Sequence, residues 1–482
     1  MADYMFLLES RLSPEQQALV ARLQRHCQQA GLNLYLTGGP MRDLLAGGPI
    51  RTLDFTVEGN PLKLQKGLVA EGAEVRFADE EEQSIRLRRR SVRFRITAAH
   101  TETFERPGKP PEMRPAAIIE DLRRRGFTLD AIGLSLNPAS RGLLLDPTNG
   151  LADIEARQIR MIHNYVFYED PVRLLRAVRL QTRLQFTLEE RTAARAAAAR
   201  ENDYLAHAYK ASCGRELEAI AYEPDPAAVL KALDAEGLLA PVYGPAFKTA
   251  KMNLAGLSRL APAAAELEEA GLTADAGPVA LQFMIGDLPE KEQARLARLP
   301  MSKPLVSGWQ SLPGDSKALA KRLAGGKEPS LAQLHDWLHD ARPEVVLFLA
   351  ATSSGPVQKR LKEFTSQLPR IRQQLPLREL QQWGLSPNAP QFHDVMQRIF
   401  RRLLEGEGRT PPEVRAVMEE EAARSGVAPA SEAGGAEAKG KGRRGGRAGK
   451  PASPPAAKPA KPAKAAAPVK ARTPNPATRK KK

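Results

Sequence analysis

Residues 36–59 read LTGGPMRDLLAGGPIRTLDFTVEG. Asn33–Thr37 reads as a strand that runs into Gly38-Gly39, and Met41–Leu45 as a short helix. Asp54–Glu58 is then a second strand. Two glycines between a strand and a helix let backbone N–H groups approach an anion, and the helix start adds partial positive charge. Taken alone, such a turn is more often structural, and an Asp at a strand start, as Asp54 is, is usually a cap or turn residue.

Outward from this unit, Ser13 and Pro14 are N-cap and first-turn residues for a helix running to about Ala30. A helix follows near Pro61–Glu71. Ser84–Ala99 reads as two strands, because Arg and apolar residues alternate with period two. Glu105–Pro115 reads as a loop, and Phe127–Leu136 and Gly142–Leu145 as strands. From Glu169 the strand signals stop. Helical patterns run to about Arg424, with breaks near Glu223–Pro226, Pro241–Pro245, Ser311–Gly314 and Ser386–Pro390. Strands followed by helices predict an α+β protein: a small mixed-sheet head, then all-helical neck, body and tail-like regions, and a disordered basic C-terminus. The boundaries fall at 1–165, 166–245, 246–424 and 425–482.

The 482 residues carry 72 Lys/Arg and 56 Asp/Glu, a net charge of +16. Ser425–Lys482 holds 15 of the basic residues against 2 acidic ones, so the excess belongs to this Lys/Ala/Pro-rich segment. With no aromatic residue it cannot offset its ordering entropy by burial. Two readings stay open: a solubilising tail, or a sequence-blind binder of RNA or ribosomes acting by counterion release. The longest apolar run, Val345–Ala351, has seven residues, far short of a bilayer span, so no membrane partner is expected. Asp3 and the lack of an early basic region predict no signal peptide. Two distant cysteines, Cys27 and Cys213, exclude a disulfide framework and suit a cytoplasmic protein.

Two further stretches bear chemistry. Glu120–Ala131, EDLRRRGFTLDA, places Arg123, Arg124 and Arg125 before a strand, either as a phosphate clamp or as a solvated turn. Glu169–Arg176, EDPVRLLR, opens a helix on which Asp170 and Arg173 lie three apart. A carboxylate beside a guanidinium fork reads a base edge, or forms an ordinary ion pair. His335-Asp336-Trp337-Leu338-His339 spaces two imidazoles like a zinc-protease motif, but no third ligand follows, so a surface-facing helix is expected. Trp309, Trp337 and Trp383 are expected to pack in the helical body.

In order and spacing these stretches resemble the bacterial class II CCA-adding tRNA nucleotidyltransferase and poly(A) polymerase family. That family carries GG-x-x-RD, then D-x-D, then RRDFT-x-NA, then D-P-x-G-G-x-x-D, then E-D-x-x-R. Asp146–Asp153 (DPTNGLAD) supplies the fourth, and Leu375–Met418 is similar to the family's ending. The resemblance covers about residues 1–422. It implies a template-free polymerase that adds CMP or AMP from CTP or ATP to the 3′-hydroxyl of tRNA or related RNA with release of pyrophosphate, with Mg2+ on the D-x-D pair. It implies triphosphate binding by Gly38, Gly39, Arg42, Arg124 and Arg125. Base recognition would fall to Glu169, Asp170 and Arg173, with Asp43 and Arg176 in support.

The chain departs from the family at the chemistry. Aligned without gaps, the D-x-D positions fall on Thr52 and Asp54. Gly126 stands for the family's Asp, Asp130 for its Asn, and His100 for a common Arg. Val92–Ala98 carries Arg93 and Arg95 where a further carboxylate belongs. A threonine hydroxyl is a poor ligand for a hard dication, and losing one metal carboxylate costs on the order of a thousandfold in rate. Asp54 is the remaining catalytic and metal candidate. The expectation is a binding relative with weak or no polymerase activity. The alternative is an active enzyme in which Asp43, Glu58 or Glu102 partners Asp54.

Overall fold

The computed structural model describes residues 3–425 except Ser91, Pro107, Gly108, Lys327, Gly384, Pro387, Asn388 and Arg409. The disorder expected of the basic tail falls outside the described residues beyond Ser425.

The first long helix, Pro14–Ala30, is set at both ends by local chemistry. Ser13 Oγ accepts from Gln16 N at 3.2 Å, Gln16 Oε1 accepts from Ser13 N at 2.9 Å, and Gly31 ends the helix at φ +66°. Its buried stripe, Leu19, Val20, Leu23 and Cys27, joins the core that backs the sheet.

The sheet has strands β1 (Asn33–Thr37), β2 (Leu53–Glu58), β3 (Glu74–Asp79), β4 (Ser84–Arg89), β5 (Val92–Ala98), β8 (Gly133–Ser135) and β9 (Leu144–Leu145). Between β5 and β8 a separate hairpin pairs β6 (His100–Thr103) with β7 (Glu112–Pro115). The sheet order is β3-β4-β5-β2-β1-β8-β9, and β2–β5 is its parallel pair. Alternation sorts the faces: Leu53, Phe55, Val57, Phe94, Ile96, Ile85 and Leu87 are buried in the core. Asp54, Thr56, Arg93, Arg95 and Arg86 belong to the other face.

Three local expectations need correction. Glu112–Pro115 is strand, because Glu112, Met113 and Arg114 pair across to β6. Phe127–Leu136 is not a continuous strand: a 3-10 turn, Thr128–Asp130, interrupts it, and its carboxylate ties into the site described below. No break occurs at Ser311–Gly314. The helix Lys303–Ala324 runs through Pro313, its apolar stripe of Leu305, Trp309, Leu312, Leu319 and Leu323 holding both halves against the core.

The helical part begins with Val166–Glu169 and Arg173–Leu184. Two short strands, β10 (Gln158–Ile159) and β11 (Thr187–Leu188), pair in parallel across the junction. Helices Lys210–Ala221 and Pro226–Ala235 follow, then longer ones to Arg424. The last two, Pro390–Leu404 and Pro411–Arg424, share a smaller core of Phe392, Val395, Ile399, Val414 and Met418. Trp309 is buried in the main core, as expected of a packing residue, while Trp337 is partly buried beneath Arg322. On the helix Leu331–Asp340, His339 is exposed, whereas His335 is half-buried, its ring tilted against that of His339 at 4.1 Å and meeting Phe400 at 5.3 Å. Among the described residues no helix is long and apolar enough to cross a membrane.

Candidate functional site

The turn after β1 brings four groups to one point. Gly38 has φ +71°, and a Cβ there would lie 2.7 Å from Arg125 Nη1. A Cβ on Gly39 would lie 3.5 Å from Arg42 Nη2 and 3.9 Å from Asp54 Oδ2. The glycine pair thus leaves room for Arg125 and Arg42 beside Asp54.

The arginines are tied to protein acceptors. Arg42, 5% exposed, donates from Nη1 to Asp130 at 2.5 Å and from Nε and Nη2 to Asp43 at 3.0 and 2.9 Å. Arg125 Nη2 donates to Thr37 and Thr56 hydroxyls and to Asp121 at 2.8 Å. Arg124 donates to Asp121 at 2.8 Å and to Glu102 at 2.9 Å. Burial pushes the Glu102 carboxyl up, but Arg124, the His100 hydrogen bond and Arg173 outweigh it and hold it at about 2. The same contest leaves Asp121, against Arg125 and Arg124, well below the ordinary carboxylate range. Asp121 is the residue sequence reasoning missed here, and Glu102, weighed there as a partner of Asp54, instead holds Arg124. The signal for Asp121 was the spacing Asp121-x-x-Arg124-Arg125, which joins i to i+3 and i+4 on one helical turn.

Asp54 lies in register with Arg95 of β5, and Arg95 Nε is 3.4 Å from its carboxylate. Thr52 lies in the bend just before β2, two residues ahead of Asp54, so a hydroxyl stands at the position where the family pattern has its first carboxylate. Asp43, Glu58 and Glu102, the candidate replacements, each have other partners. Asp43 binds Arg42 and Arg183. Glu58 accepts from Asn33 at 2.7 Å and from the Ile118 N–H at 2.9 Å. Glu102 binds Arg124. Among the described residues no group of three or more His, Cys, Asp or Glu is placed to hold a metal ion. A dication at Asp54 would also stand within a few ångströms of the Arg95 cation, a repulsion on the order of several kcal/mol. The residues present therefore do not fit the two-metal centre that the family pattern implies.

The helical side reaches this site through Arg173 and Arg183. Arg173, 4% exposed, donates to Glu169 Oε2 and to the Val166 carbonyl, both at 3.1 Å. Asp170 accepts instead from Ser212 at 3.1 Å and from the Val172 N–H at 3.2 Å. The expected pairing on one helix face is corrected here: Asp170 precedes the helix that starts at Arg173, so its carboxylate turns to the helix Lys210–Ala221. The stem of Arg173 covers Gly126, whose Cβ would meet Arg173 Nε at 3.1 Å, and that buried Nε has no hydrogen-bond partner.

A continuous chain of ion pairs joins the two sides. Arg176 and Arg179 donate to Glu216 at 3.2 and 2.6 Å, and Arg179 also to Glu223 at 2.7 Å. Arg183 lies 3.7 Å from Glu223 and donates to Asp43, which also holds Arg42. Sequence reasoning stopped at Arg176. The spacing of Arg176, Arg179 and Arg183 at three and four residues was the signal that the row continues.

Residues 34–160 match the model of the Poly A polymerase head domain. The chain is 27% identical over 393 residues to the A-adding tRNA nucleotidyltransferase of Halalkalibacterium halodurans, a match covering 81% of this chain and 89% of that protein. It is 38% identical over 161 residues to the A-adding tRNA nucleotidyltransferase of Aquifex aeolicus, covering 33% of this chain but 20% of that longer protein. The solved CCA-adding enzyme of Thermotoga maritima, complexed with tRNA, is 22% identical with a TM-score of 0.43, over 88% of this chain and 99% of that one. Nucleotidyltransferases of this kind are generally metal dependent, which sets the Thr52–Asp54–Arg95 arrangement apart. Residues 34–160 thus match a Poly A polymerase head domain, and through the helical part the chain is similar to A-adding tRNA nucleotidyltransferases.

Proposed function

We propose that this protein binds the 3′ end of tRNA, or of a related RNA, together with CTP or ATP, and that its polymerase activity is weak or absent. The observation that carries this reading is the arginine at Asp54: a guanidinium 3.4 Å away and a threonine stand where metal chemistry needs carboxylates and Mg2+. The nucleotide-binding residues are kept. Gly38, Gly39, Arg42, Arg124 and Arg125 form the triphosphate side. Glu169 and Arg173 form the base-reading side, braced by Asp170 through its bonds to Ser212 and the Val172 N–H, and by Asp43 and Arg176. The division into a head (1–165), a neck (166–245) and a body (246–424) follows the family pattern.

The relatives' names supply the RNA, and the net charge of the last 58 residues supplies a sequence-blind phosphate contact. Buried free thiols at Cys27 and Cys213, both pushed up to about 12 chiefly by burial, fit a reducing cytoplasm. The competing reading, an active Mg2+ enzyme, needs a second free carboxylate beside Asp54. Asp43, Glu58 and Glu102 are already held by other groups.

The test is binding of a tRNA transcript lacking its 3′ CCA, against a hairpin of equal length without an acceptor stem, at rising salt. Tighter binding of the tRNA at every salt concentration, strengthened by CTP or ATP, is expected. Equal binding of both RNAs, indifferent to nucleotide, would overturn the proposal.

A further inference from the structure

Four arginines, Arg86, Arg88, Arg93 and Arg95, share the polar face of β4 and β5, and their surroundings differ; Arg88 donates to the Arg90 carbonyl at 2.8 Å. Arg86 is bound by both oxygens of Glu218 at 3.0 Å. Arg93 covers the Tyr222 ring at 4.0 Å and lies 3.6 Å from Asp275. Both are thereby committed to the helical side. Arg95 is different. Its Nε faces Asp54 at 3.4 Å, its side chain is 44% exposed, and among the described residues its one ion pair is with Asp54. Among the described residues the remaining N–H groups of its fork have no ion pair with the protein.

We propose that Arg95 is a built-in cation standing in for the metal at Asp54, so that the protein binds the triphosphate of a nucleotide without a divalent ion. The proposal rests on the nucleotide-binding reading above and adds what replaces the metal in it. A bound dication does two things for a triphosphate: it anchors on protein carboxylates and offers positive charge to phosphate oxygens. Arg95 does both. It is anchored by Asp54 and by the register of two paired strands, and its free nitrogens are donors in a fixed plane that matches phosphate oxygens. Unlike a metal it cannot be stripped by a chelator. It also defends its position, since a dication entering beside Asp54 meets a fixed like charge. What it cannot supply is a Lewis acid for the RNA 3′-hydroxyl. Binding without transfer follows from the same substitution.

The experiment is titration calorimetry of the full chain with ATP and with CTP, in excess EDTA and in excess magnesium. Affinities that agree within about threefold are expected, since no metal contributes. Arg95→Ala should weaken binding in EDTA on the order of tenfold to a hundredfold, the worth of one charge-assisted hydrogen bond. Arg95→Lys should restore part of it. Arg95→Gln, which keeps the stem and two donors but not the charge, should resemble Ala, and thermal unfolding checks each fold. Asp54→Asn should tighten binding in EDTA, because it removes an anion from beside the phosphates, whereas at a metal site it would abolish binding.

Binding that appears only with magnesium, or that Arg95→Ala leaves unchanged, would overturn the proposal while leaving the nucleotide reading intact. Loss of binding in Asp54→Asn would overturn it too. Absence of binding under both conditions would overturn the nucleotide reading and the proposal with it.

Discussion

Replacing Gly126 by Asp is expected to stabilise the protein, and replacing it by Ala to destabilise it. Gly126 is buried, and a Cβ there meets Arg173 at Cδ (3.0 Å), Nε (3.1 Å) and Cγ (3.6 Å). Either substitution pushes the Arg173 stem by a few tenths of an ångström, an off-rotamer cost of about 0.5–1.5 kcal/mol. Both recover about 0.4–1 kcal/mol from the lost freedom of glycine in the unfolded chain. Only Asp offers an acceptor to Arg173 Nε, a buried donor without a partner. A hydrogen bond to a charged group contributes about 1.5–3 kcal/mol, part of which is spent on desolvating the new carboxylate. The balance is about 1 kcal/mol in favour of Asp and a few tenths against Ala, a gap between the two of roughly 1–2 kcal/mol. Urea unfolding of native, Gly126→Asp, Gly126→Ala and Gly126→Asn chains at neutral pH measures it, with Asn expected between the other two. The carboxylate beside Arg173 has a native pKa below its unfolded value of about 3.9. Its advantage is therefore full above that value and is lost as pH falls through the native one. An Ala variant as stable as Asp at neutral pH would refute the reasoning, as would an Asp advantage that survives at pH 2.

The remaining predictions concern the turn, the Arg124 cluster and the histidine pair. Gly38→Ala places a Cβ 2.7 Å from Arg125 Nη1 at φ +71°. It should cost about 2–4 kcal/mol in urea unfolding, from left-handed strain and the displaced Arg125, and a loss under about 0.5 kcal/mol would contradict the packing. Glu102 sits at about 2 in the native state against 4.5 as its ordinary value. Its contribution, on the order of 3 kcal/mol, is present above the ordinary value and lost as pH falls from there through the native one. Glu102→Gln should flatten the acid limb of the stability curve, and an unchanged limb would count against the Arg124 pairing. Burial holds His335 below the ordinary imidazole value, so the unfolded chain takes up its proton first as pH falls. Hydrogen exchange in the helix Pro390–Leu404, which contacts His335 through Phe400, should quicken below about pH 6.5, and less so in His335→Phe.

The strand–turn–helix unit at residues 33–45 was legible because a glycine pair between an apolar strand and an apolar helix leaves the backbone few choices. So were the two arginine-bearing strands β4 and β5, whose alternation survives as one buried and one polar face. The residues of the candidate site were legible as types and positions, but their partners were not. Arg124 and Arg125 read as a phosphate clamp because charge runs carry no sign of what neutralises them. Asp121 is four residues or fewer away, but Glu102 arrives from a different hairpin. The exchange of Asp170 from Arg173 to Ser212 depends on where one helix begins, which the Asp-Pro step blurs. The unbroken helix across Pro313 was hidden for another reason. Proline removes one hydrogen bond locally, whereas the stripe that outweighs it spans Leu305 to Leu323.

The most direct test of the account is an extension assay on a tRNA transcript lacking its 3′ CCA, with labelled CTP and ATP and either magnesium or manganese. The native chain is run beside Thr52→Asp/Gly126→Asp and the same pair combined with Arg95→Ser. Under the account the native chain adds no nucleotide, and activity appears once carboxylates replace Thr52 and Gly126, rising further when the Arg95 cation is removed. Extension by the native chain would contradict it, and would mean that Asp54 finds a second metal ligand despite the arginine at its side.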